Sequence, residues 1–388
     1  MSERTGPRER LTEQLLLLTF ARLTVNSAVR FVYPFLGAIS RGLGISIEQA
    51  GFLVSARWAA GLATPLVTGT VGRRQGHRRQ VTIGLALFSL GAAVAASFGT
   101  FAGAITGFAA MGLAKPSFDV AAQSYLADRV PYERRARSLG VFEMTWAGGF
   151  LIGAPAAGWL IARGDWATPF WVFAAILLAA ALGSWVSLDG SRSSPRAVGK
   201  LDWDASALSL LAVMSLFAGG AEVLFVVFGV WLETSFGLAI VALGAMSVFI
   251  GVAELAGEGA TVAVTDRIGK RRALAVGLAL SAVGYALLIP GEDRLVLGLG
   301  ALGLGLAGFE FAILSSVPLQ TELKPGARAQ LLSWTVVSMG VARAIGAAVG
   351  PGLYGSFGLA GNAILGAILN VAAIVILLRW VEEPGPSD

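Results

Sequence analysis

The stretch AELAGEGATVAVTDRIGKRR, Ala253 to Arg272, places two carboxylates, Glu254 and Glu258, one helical turn apart in a run of small apolar residues. The run ends in a dense charge cluster, DRIGKRR. Similar apolar runs recur along the whole chain of 388 residues, which is 55% hydrophobic and 14% charged. A soluble domain carries about 25% charged residues, and roughly 20 apolar residues cross a bilayer. The sequence therefore indicates a polytopic membrane protein whose solvent is the lipid bilayer.

Composition also excludes several classes of protein. The chain has no cysteine and a single histidine, His77, which excludes disulfides, thiolate metal sites and multi-histidine metal sites. The net charge of +5 could indicate nucleic-acid binding, but short basic clusters between apolar runs are typical of the inner loops of membrane proteins. The run GLGALGLGLAGFE has the spacing of a dinucleotide fingerprint without the soluble βαβ unit that such a site needs. We expect no nucleic-acid partner, no cofactor and no enzymatic activity.

Charged and turn-rich breaks divide the chain into twelve apolar spans. The spans cover residues 12–38, 47–71, 80–98, 101–126, 135–162, 167–188, 205–232, 238–265, 271–290, 294–321, 328–356 and 360–381. The central segment DGSRSSPRAVGKLDWD is polar and contains proline and serine, as linkers do. We predict an all-α membrane protein with an N-terminal six-helix bundle in 1–188, a cytoplasmic linker in 189–204 and a C-terminal six-helix bundle in 205–388.

Lysine and arginine set the expected orientation. With the N-terminus inside, the inner segments hold 21 of the 29 basic residues, the outer loops hold 3 and the spans hold 5. Because cytoplasmic loops carry the excess of Lys and Arg, we expect both termini in the cytoplasm and a multi-pass protein of the bacterial inner membrane. DRIGKRR is then an inner loop after span 8.

Two inner loops recur half a chain apart. GTVGRRQGHRRQ resembles VAVTDRIGKRRA when Gly76 is aligned with Gly269, an offset of 193 residues. DRVPYER resembles ELKPGAR when Pro131 is aligned with Pro325, an offset of 194 residues. Agreement between two unrelated loops indicates two six-span units in parallel, the architecture of transporters that rock one half against the other.

The first pair of loops resembles the G-x-x-x-D-R-x-G-R-R signature of the major facilitator superfamily, and the resemblance covers the whole chain. It implies two pseudo-symmetric six-helix bundles around a central cavity. Spans 1, 4, 7 and 10 mainly line this cavity, which opens to one side of the membrane and then to the other. The gating loops that it implies contain Gly69, Arg74, Gly76, Asp266, Arg267 and Gly269.

The chain departs from the family pattern at several positions. Arg73 stands at the acidic position of the first loop, and Val262 stands where the second loop usually has glycine. The antiporter-type motif of span 5, G-x-x-x-G-P-x-x-G, occurs as GGFLIGAPAAG with Pro155 displaced by one residue. The chain thus resembles the drug/proton antiporters of the family, but only in part at this motif.

Ionisable side chains inside the spans are the candidate functional residues, because a charge inside the bilayer costs about 2.5–3.5 kcal/mol on insertion scales. The repeat relates Arg30 to Glu222 at 192 residues and Lys115 to Glu310 at 195 residues. In both pairs the first half is cationic and the second is anionic. This predicts a cavity with a positive N-terminal wall and a negative C-terminal wall.

We predict proton coupling at Glu222, Glu310 and Glu254, because a desolvated carboxylate favours its protonated form. The predicted substrate cavity contains Arg30, Lys115, Asp119, Phe225 and Arg343. The alternative for all these charges is a structural role in ion pairs between helices.

Three arginines receive more specific predictions. We expect Arg57 to pair with an acid of its own half such as Asp119, and Arg343 to be a counter-ion of Glu254 and Glu258. We expect Arg22 to extend to the inner surface of the membrane.

Together these features predict a monomeric secondary active transporter that exchanges protons for small organic substrates by alternating access. Export of small amphiphilic or charged molecules is the first hypothesis. Uptake of an organic ion or zwitterion, or flipping of a lipid, is the alternative within the same fold. A receptor or membrane enzyme is a third hypothesis, and no catalytic constellation in the sequence supports it.

Overall fold

A computed structural model describes residues 7–64, 76–190 and 201–383. The predicted gating residues Gly69 and Arg74 lie outside the described residues, and so do residues 191–200 of the predicted linker. The linker and the two domain boundaries around it stay predictions. Within the described ranges every regular element is helical, which confirms the predicted all-α class.

The helices of the first six spans are numbered here in chain order. They are α1 (Pro7–Arg30), α2 (Leu36–Leu43), α3 (Ile47–Gly61), α4 (His77–Ser97), α5 (Phe101–Arg129), α6 (Tyr132–Glu143), α7 (Thr145–Gly148), a π-helical turn (Gly149–Gly153), α8 (Ala154–Arg163) and α9 (Thr168–Ser187). The π-helical turn lies in the GGFLIGAPAAG stretch of span 5. Single π turns are frequent at functional sites.

The helices of the second six spans follow the same plan. They are α10 (Ala205–Phe225), α11 (Phe228–Phe236), α12 (Ile240–Ile268), α13 (Lys270–Gly291), α14 (Leu295–Leu323), a 3₁₀ turn (Pro325–Ala327) and α15 (Arg328–Trp380). Backbone dihedrals interrupt α15 at Gly358, where φ is +65°. Since glycine adopts positive φ without a steric penalty, this residue separates spans 11 and 12.

Eight helices of the described chain are long and apolar enough to cross a membrane, and the last of them contains both span 11 and span 12. The helices of spans 1, 2 and 4 do not meet these criteria. Within the described ranges α3 has only 15 residues, and α1 and α5 carry charged residues that lower their hydropathy. Most of the charged side chains that form the site of the first unit, described below, lie in spans 1 and 4 and lower the hydropathy of those spans.

The chain forms two compact units. The first contains the described residues 7–32, 38–45, 56–64 and 76–190, and the second contains 33–37, 46–55 and 201–383. In the first unit α1 packs on α9 and on the π-helical turn, while α4 packs on α5 and α9. In the second unit α10 packs on α15, and α13 packs on α14. Its core is apolar and includes Leu210, Phe217, Leu278 and Phe309.

Spans 1 and 7 are both broken near their ends, where the sequence had indicated continuous helices. The first break covers residues 31–35 between α1 and α2, and the second covers residues 226–227 between α10 and α11. Pro34 explains the first break, because proline lacks an N–H and disfavours helical geometry in the residue before it. The first break leaves Tyr33 in the second unit, next to the last turn of α10.

Candidate functional site

Arg22 lies at the centre of an ion network in the first unit. Its guanidinium donates to Glu143 Oε2 at 2.9 Å, to Asp119 Oδ1 at 3.3 Å and to the Phe142 carbonyl oxygen at 2.7 Å. Lys115 Nζ donates to the other oxygen of Asp119 at 2.5 Å. The prediction that Arg22 extends to the membrane surface was wrong, and Asp119, the acid named as an example of a partner for Arg57, pairs with Arg22 and Lys115. Arg22 is only 6% exposed, because α1 packs against α5 and α6, and a desolvated guanidinium requires acidic or carbonyl partners.

Arg57 instead donates from Nη1 to the carbonyl oxygen of Val29 at 2.8 Å. Val29 belongs to the last turn of α1, where carbonyl groups have no intrahelical donor. The arginine of span 2 therefore satisfies the C-terminal end of α1, and the negative end of the helix dipole favours a cation there.

Arg30 is fully buried in the first unit and stacks on two aromatic rings. Its guanidinium carbon lies 4.3 Å from the ring centre of Trp146 and 3.7 Å from that of Phe150. Nη1 also donates to the Trp146 carbonyl oxygen at 3.0 Å. The π-helical turn permits this approach, since a Cβ on Gly149 would lie 2.9 Å from Arg30 Cδ. Cation–π contacts in a desolvated site stabilise a guanidinium by about 2 kcal/mol.

Glu222 is the fully buried carboxylate of the second unit. Its Oε2 accepts a hydrogen bond from Arg343 Nη1 at 2.8 Å, and its Oε1 accepts one from the Tyr33 hydroxyl at 2.8 Å. The prediction that Arg343 serves Glu254 and Glu258 is not supported by this ion pair. The reason is that α15 packs on α10 rather than along α12, so Arg343 forms an ion pair with the acid of span 7.

The surroundings of this pair are aromatic. Arg343 lies over the Phe309 ring at 5.1 Å from its centre. The ring of Phe225 lies 4.7 Å from the Tyr33 ring and 5.4 Å from the Phe228 ring. Phe225 thus belongs to the apolar wall beside the carboxylate.

The two units place their buried charges at repeat positions that correspond to within one residue. Arg30 and Glu222 are 192 residues apart, and their partners Phe150 and Arg343 are 193 residues apart. In each unit the charged residue of the first helical span therefore contacts the same position of the fifth. One copy of the repeat uses a cation–π contact, and the other uses an ion pair.

The other predicted residues lie at separate places. Glu310 on α14 is 5% exposed and Glu254 on α12 is 2% exposed, both in the second unit. Asp266 and Arg267 are exposed in the last turn of α12. Gly269 separates α12 from α13 with φ of +87°, and Gly76 precedes the first residue of α4.

Sequence reasoning missed two tyrosines, Tyr33 and Tyr285. Tyr285 is 1% exposed on α13, one helical turn after Ser281. The chain has only five tyrosines. A phenol inside an apolar span is a polar group that needs a partner, and this signal could have found both residues.

The family model of the Major Facilitator Superfamily matches residues 15–257 and 208–388. The uncharacterized transporter YgaY of Escherichia coli O157:H7 is 28% identical over 197 residues, which cover 49% of this chain and 48% of that protein. The cis,cis-muconate transport protein of Acinetobacter baylyi (strain ATCC 33305 / BD413 / ADP1) is 30% identical over 160 residues, covering 40% of this chain and 38% of that protein. The chain thus spans about half or less of the length of these curated relatives.

Solved structures resemble the chain over nearly its whole length. A D-xylose–proton symporter superimposes with a TM-score of 0.76 at 16% identity, covering 95% of this chain and 97% of that one. A bacterial homologue of the human lysosomal transporter Spinster superimposes with a TM-score of 0.74 at 14% identity, covering 96% of each chain. At these identities the likeness establishes the fold alone.

Proposed function

The chain belongs to the major facilitator superfamily of multi-pass membrane transporters, and from that premise we propose that it couples proton movement to the export of small amphiphilic or charged organic molecules. It works by alternating access as a secondary active transporter. The excess of Lys and Arg in the inner segments supports a location in the bacterial inner membrane, with both termini in the cytoplasm.

The buried carboxylate of Glu222 is the observation that carries the proton-coupling proposal. Its two hydrogen bonds come from Tyr33 and Arg343, and both are strengthened by the negative charge of the acceptor. Protonation removes that charge and weakens both bonds together. Because Tyr33 lies in the break of span 1 and Arg343 lies on span 11, a proton on Glu222 acts on the contacts of three chain segments at once. That is the property a coupling site needs: one proton biases a conformational equilibrium.

The other predicted residues take subsidiary roles in this proposal. Glu310 and Glu254 are further proton-coupling carboxylates, since both are buried inside predicted spans. Lys115 and Asp119 contribute charge to the substrate cavity, and Phe225 contributes apolar surface. Arg343 acts as the counter-ion of Glu222.

The loops after spans 2 and 8 act as gates in the same proposal. Asp266 and Arg267 are exposed and so are available to contact other loops. Gly269, at positive φ, allows the sharp turn between α12 and α13. Gly76 marks the corresponding position of the first loop.

A second candidate is the uptake of an organic anion. It is favoured by Arg30, whose buried guanidinium is oriented by two aromatic rings, and by the similarity to a cis,cis-muconate transport protein. A guanidinium between aromatic faces suits a planar carboxylate, because charge-assisted hydrogen bonds and stacking act on the same ligand.

Purified protein in proteoliposomes with an imposed pH gradient tests both candidates. A fluorescent lipophilic cation and radiolabelled cis,cis-muconate serve as probes, and the gradient is applied in each direction. Export predicts that the dye moves against the proton flow, whereas anion uptake predicts that muconate moves with it. Glu222→Gln and Glu310→Gln should abolish accumulation, while Asp293→Asn, which changes an exposed residue between α13 and α14, should not. Gradient-driven accumulation that survives Glu222→Gln would overturn the coupling assignment.

A further inference from the structure

The break in span 7 has no proline to cause it. Residues 223–228 read VLFVVF, whereas Pro34 accounts for the break in span 1. In a continuous helix the Val227 amide would donate to the Val223 carbonyl oxygen, four residues earlier. Here it donates instead to the Leu224 carbonyl oxygen, at 3.2 Å. The Val223 carbonyl group therefore does not receive its usual main-chain donor, and a buried carbonyl group needs another one.

Asn362, on span 12, supplies that donor. Its side-chain amide nitrogen donates to the Val223 carbonyl oxygen at 2.8 Å and to the Gly350 carbonyl oxygen on span 11 at 2.9 Å. The residue is 0% exposed, and its amide oxygen has no hydrogen-bond partner among the described residues. A buried amide with one unsatisfied atom costs free energy. An apolar side chain would therefore serve better if Asn362 had only to fill space.

The first unit shows an apolar contact at the corresponding place. Phe31 and Val223 are 192 residues apart, the offset that also relates the two buried charges described above. The same offset relates Phe170 to Asn362. In the first unit the two residues form a ring contact, with centres 4.9 Å apart. Both contacts join the first span of the unit to the sixth near its break, but only the amide occupies a carbonyl group of the helix.

The two hydrogen bonds of this amide lie beside Glu222. Val223 follows Glu222 directly, and a Cβ on Gly350 would lie 2.8 Å from the Val223 carbonyl oxygen. One turn earlier, a Cβ on Gly346 would lie 3.0 Å from Glu222 Cβ. Spans 7 and 11 thus meet at close range here, and the ion pair between Glu222 and Arg343 joins the same two spans. A displacement of about 0.5 Å is enough to degrade a functional site.

We propose that Asn362 is a positioning residue for proton coupling: its amide holds the break of span 7 and thereby keeps Glu222 aligned with its hydrogen-bond donors. The proposal rests on the proposed function, in which Glu222 is the coupling carboxylate. Without the amide, the Val227 N–H can donate to the Val223 carbonyl oxygen, and the turn after Glu222 returns to regular helical geometry. Asn362 does not carry the proton, because it acts through the backbone next to the carboxylate.

Asn370 provides a matched control on the same helix. It lies eight residues after Asn362 and is also 0% exposed. Neither its amide nitrogen nor its amide oxygen has a hydrogen-bond partner within the part of the chain that the structure describes. Leucine has the same branching as asparagine without its polar atoms. Asn362→Leu therefore removes two hydrogen bonds, whereas Asn370→Leu removes none.

The coupling energy between Glu222 and Arg343 tests the proposal without a substrate. Equilibrium unfolding of the full chain in mixed micelles at pH 8 gives this energy from Glu222→Gln, Arg343→Met and the double variant. The cycle is measured in the wild type, in Asn362→Leu and in Asn370→Leu. We expect Asn362→Leu to reduce the coupling energy to less than about half, because the pair is no longer held in its geometry, and Asn370→Leu to leave it unchanged.

A purely structural amide gives a different result. It would lower the stability of all members of the cycle alike, so an unchanged coupling energy in Asn362→Leu overturns the proposal. If Asn362→Leu does not fold, Asn362→Thr replaces it, since its hydroxyl can still donate one hydrogen bond. The coupling energy should then fall by a smaller amount, and an unchanged value again contradicts the proposal.

Transport in proteoliposomes tests the functional consequence with the lipophilic cation and cis,cis-muconate as probes. The ratio of gradient-driven accumulation to equilibrium exchange does not depend on how much of the protein is folded. This ratio should fall several-fold in Asn362→Leu and stay at the wild-type value in Asn370→Leu. An unchanged ratio in Asn362→Leu overturns its role in coupling. Accumulation that survives Glu222→Gln overturns the proposed function instead, and the coupling energy distinguishes the two failures.

Discussion

Replacing Arg343 by methionine removes the cation of the buried pair while keeping much of the side chain's volume. The carboxylate of Glu222, 0% exposed, would then lose the guanidinium at 2.8 Å and keep the hydrogen bond from Tyr33 at 2.8 Å. Removing one partner of a buried ion pair costs about 3–5 kcal/mol, mostly because the other charge is left unpaired. Because the hydrogen bond from Tyr33 remains, we expect the free energy of unfolding to fall by about 3 kcal/mol, the lower end of this range.

The double variant Arg343→Met/Glu222→Gln separates this effect from lost packing. Neither side chain of the pair is then charged, so we expect a loss of only about 1 kcal/mol and a coupling energy of about 2 kcal/mol or more. Equilibrium unfolding in mixed micelles at pH 8, followed by tryptophan fluorescence, measures all four members of the cycle. If the double variant loses as much stability as Arg343→Met or more, the charge of Glu222 is not what Arg343 stabilises, and the reasoning is refuted.

Three further predictions concern packing and surface charge. Gly112→Ala should lower the free energy of unfolding by about 1–3 kcal/mol through overpacking, because the added Cβ would lie 2.0 Å from a backbone carbonyl oxygen. Gly300→Ala is the control: nothing lies within 4 Å of its added Cβ, so it should not lose stability in the same thermal unfolding assay. Asp119→Asn should lower the unfolding temperature, because two cations within 3.3 Å would lose their carboxylate; an unchanged temperature would contradict this. The hydrogen bond from Lys324 holds the pKa of Asp204 below its ordinary 3.8. The stability that the charge of Asp204 contributes is therefore present above about pH 4, and it is lost as the pH falls through the lower pKa of the folded state. Asp204→Asn should remove this acid-side dependence, and since Asp204 is 47% exposed the effect measured between pH 6 and pH 3 should stay below about 1 kcal/mol.

The all-helical class and the order of the apolar spans could be predicted from sequence because hydropathy and bilayer thickness act locally. The repeat offset was also readable, and it identified Arg30 and Glu222 as related positions. In the structure their contacts, Phe150 and Arg343, are themselves a repeat apart. The sequence contained this second pair, but no local signal marked it.

The partners of the charges could not be predicted, because they depend on how each helix is rotated about its axis. Arg22 resembles an arginine that extends to the surface, yet its position on α1 faces α5 and α6. Arg343 was expected beside Glu254 and Glu258, and it lies beside Glu222 because span 11 packs on span 7. Tyr33 became a partner of Glu222 only because the chain breaks before Pro34, which helical periodicity alone does not reveal.

Counterflow compared with gradient-driven transport tests the role of Glu222 most directly. Proteoliposomes are loaded with an unlabelled probe that the wild type carries, and the entry of labelled probe is measured first without and then with a pH gradient. A coupling carboxylate predicts that Glu222→Gln still exchanges the probe at equilibrium but no longer accumulates it when the gradient is imposed. Accumulation at the wild-type level in Glu222→Gln would contradict the account.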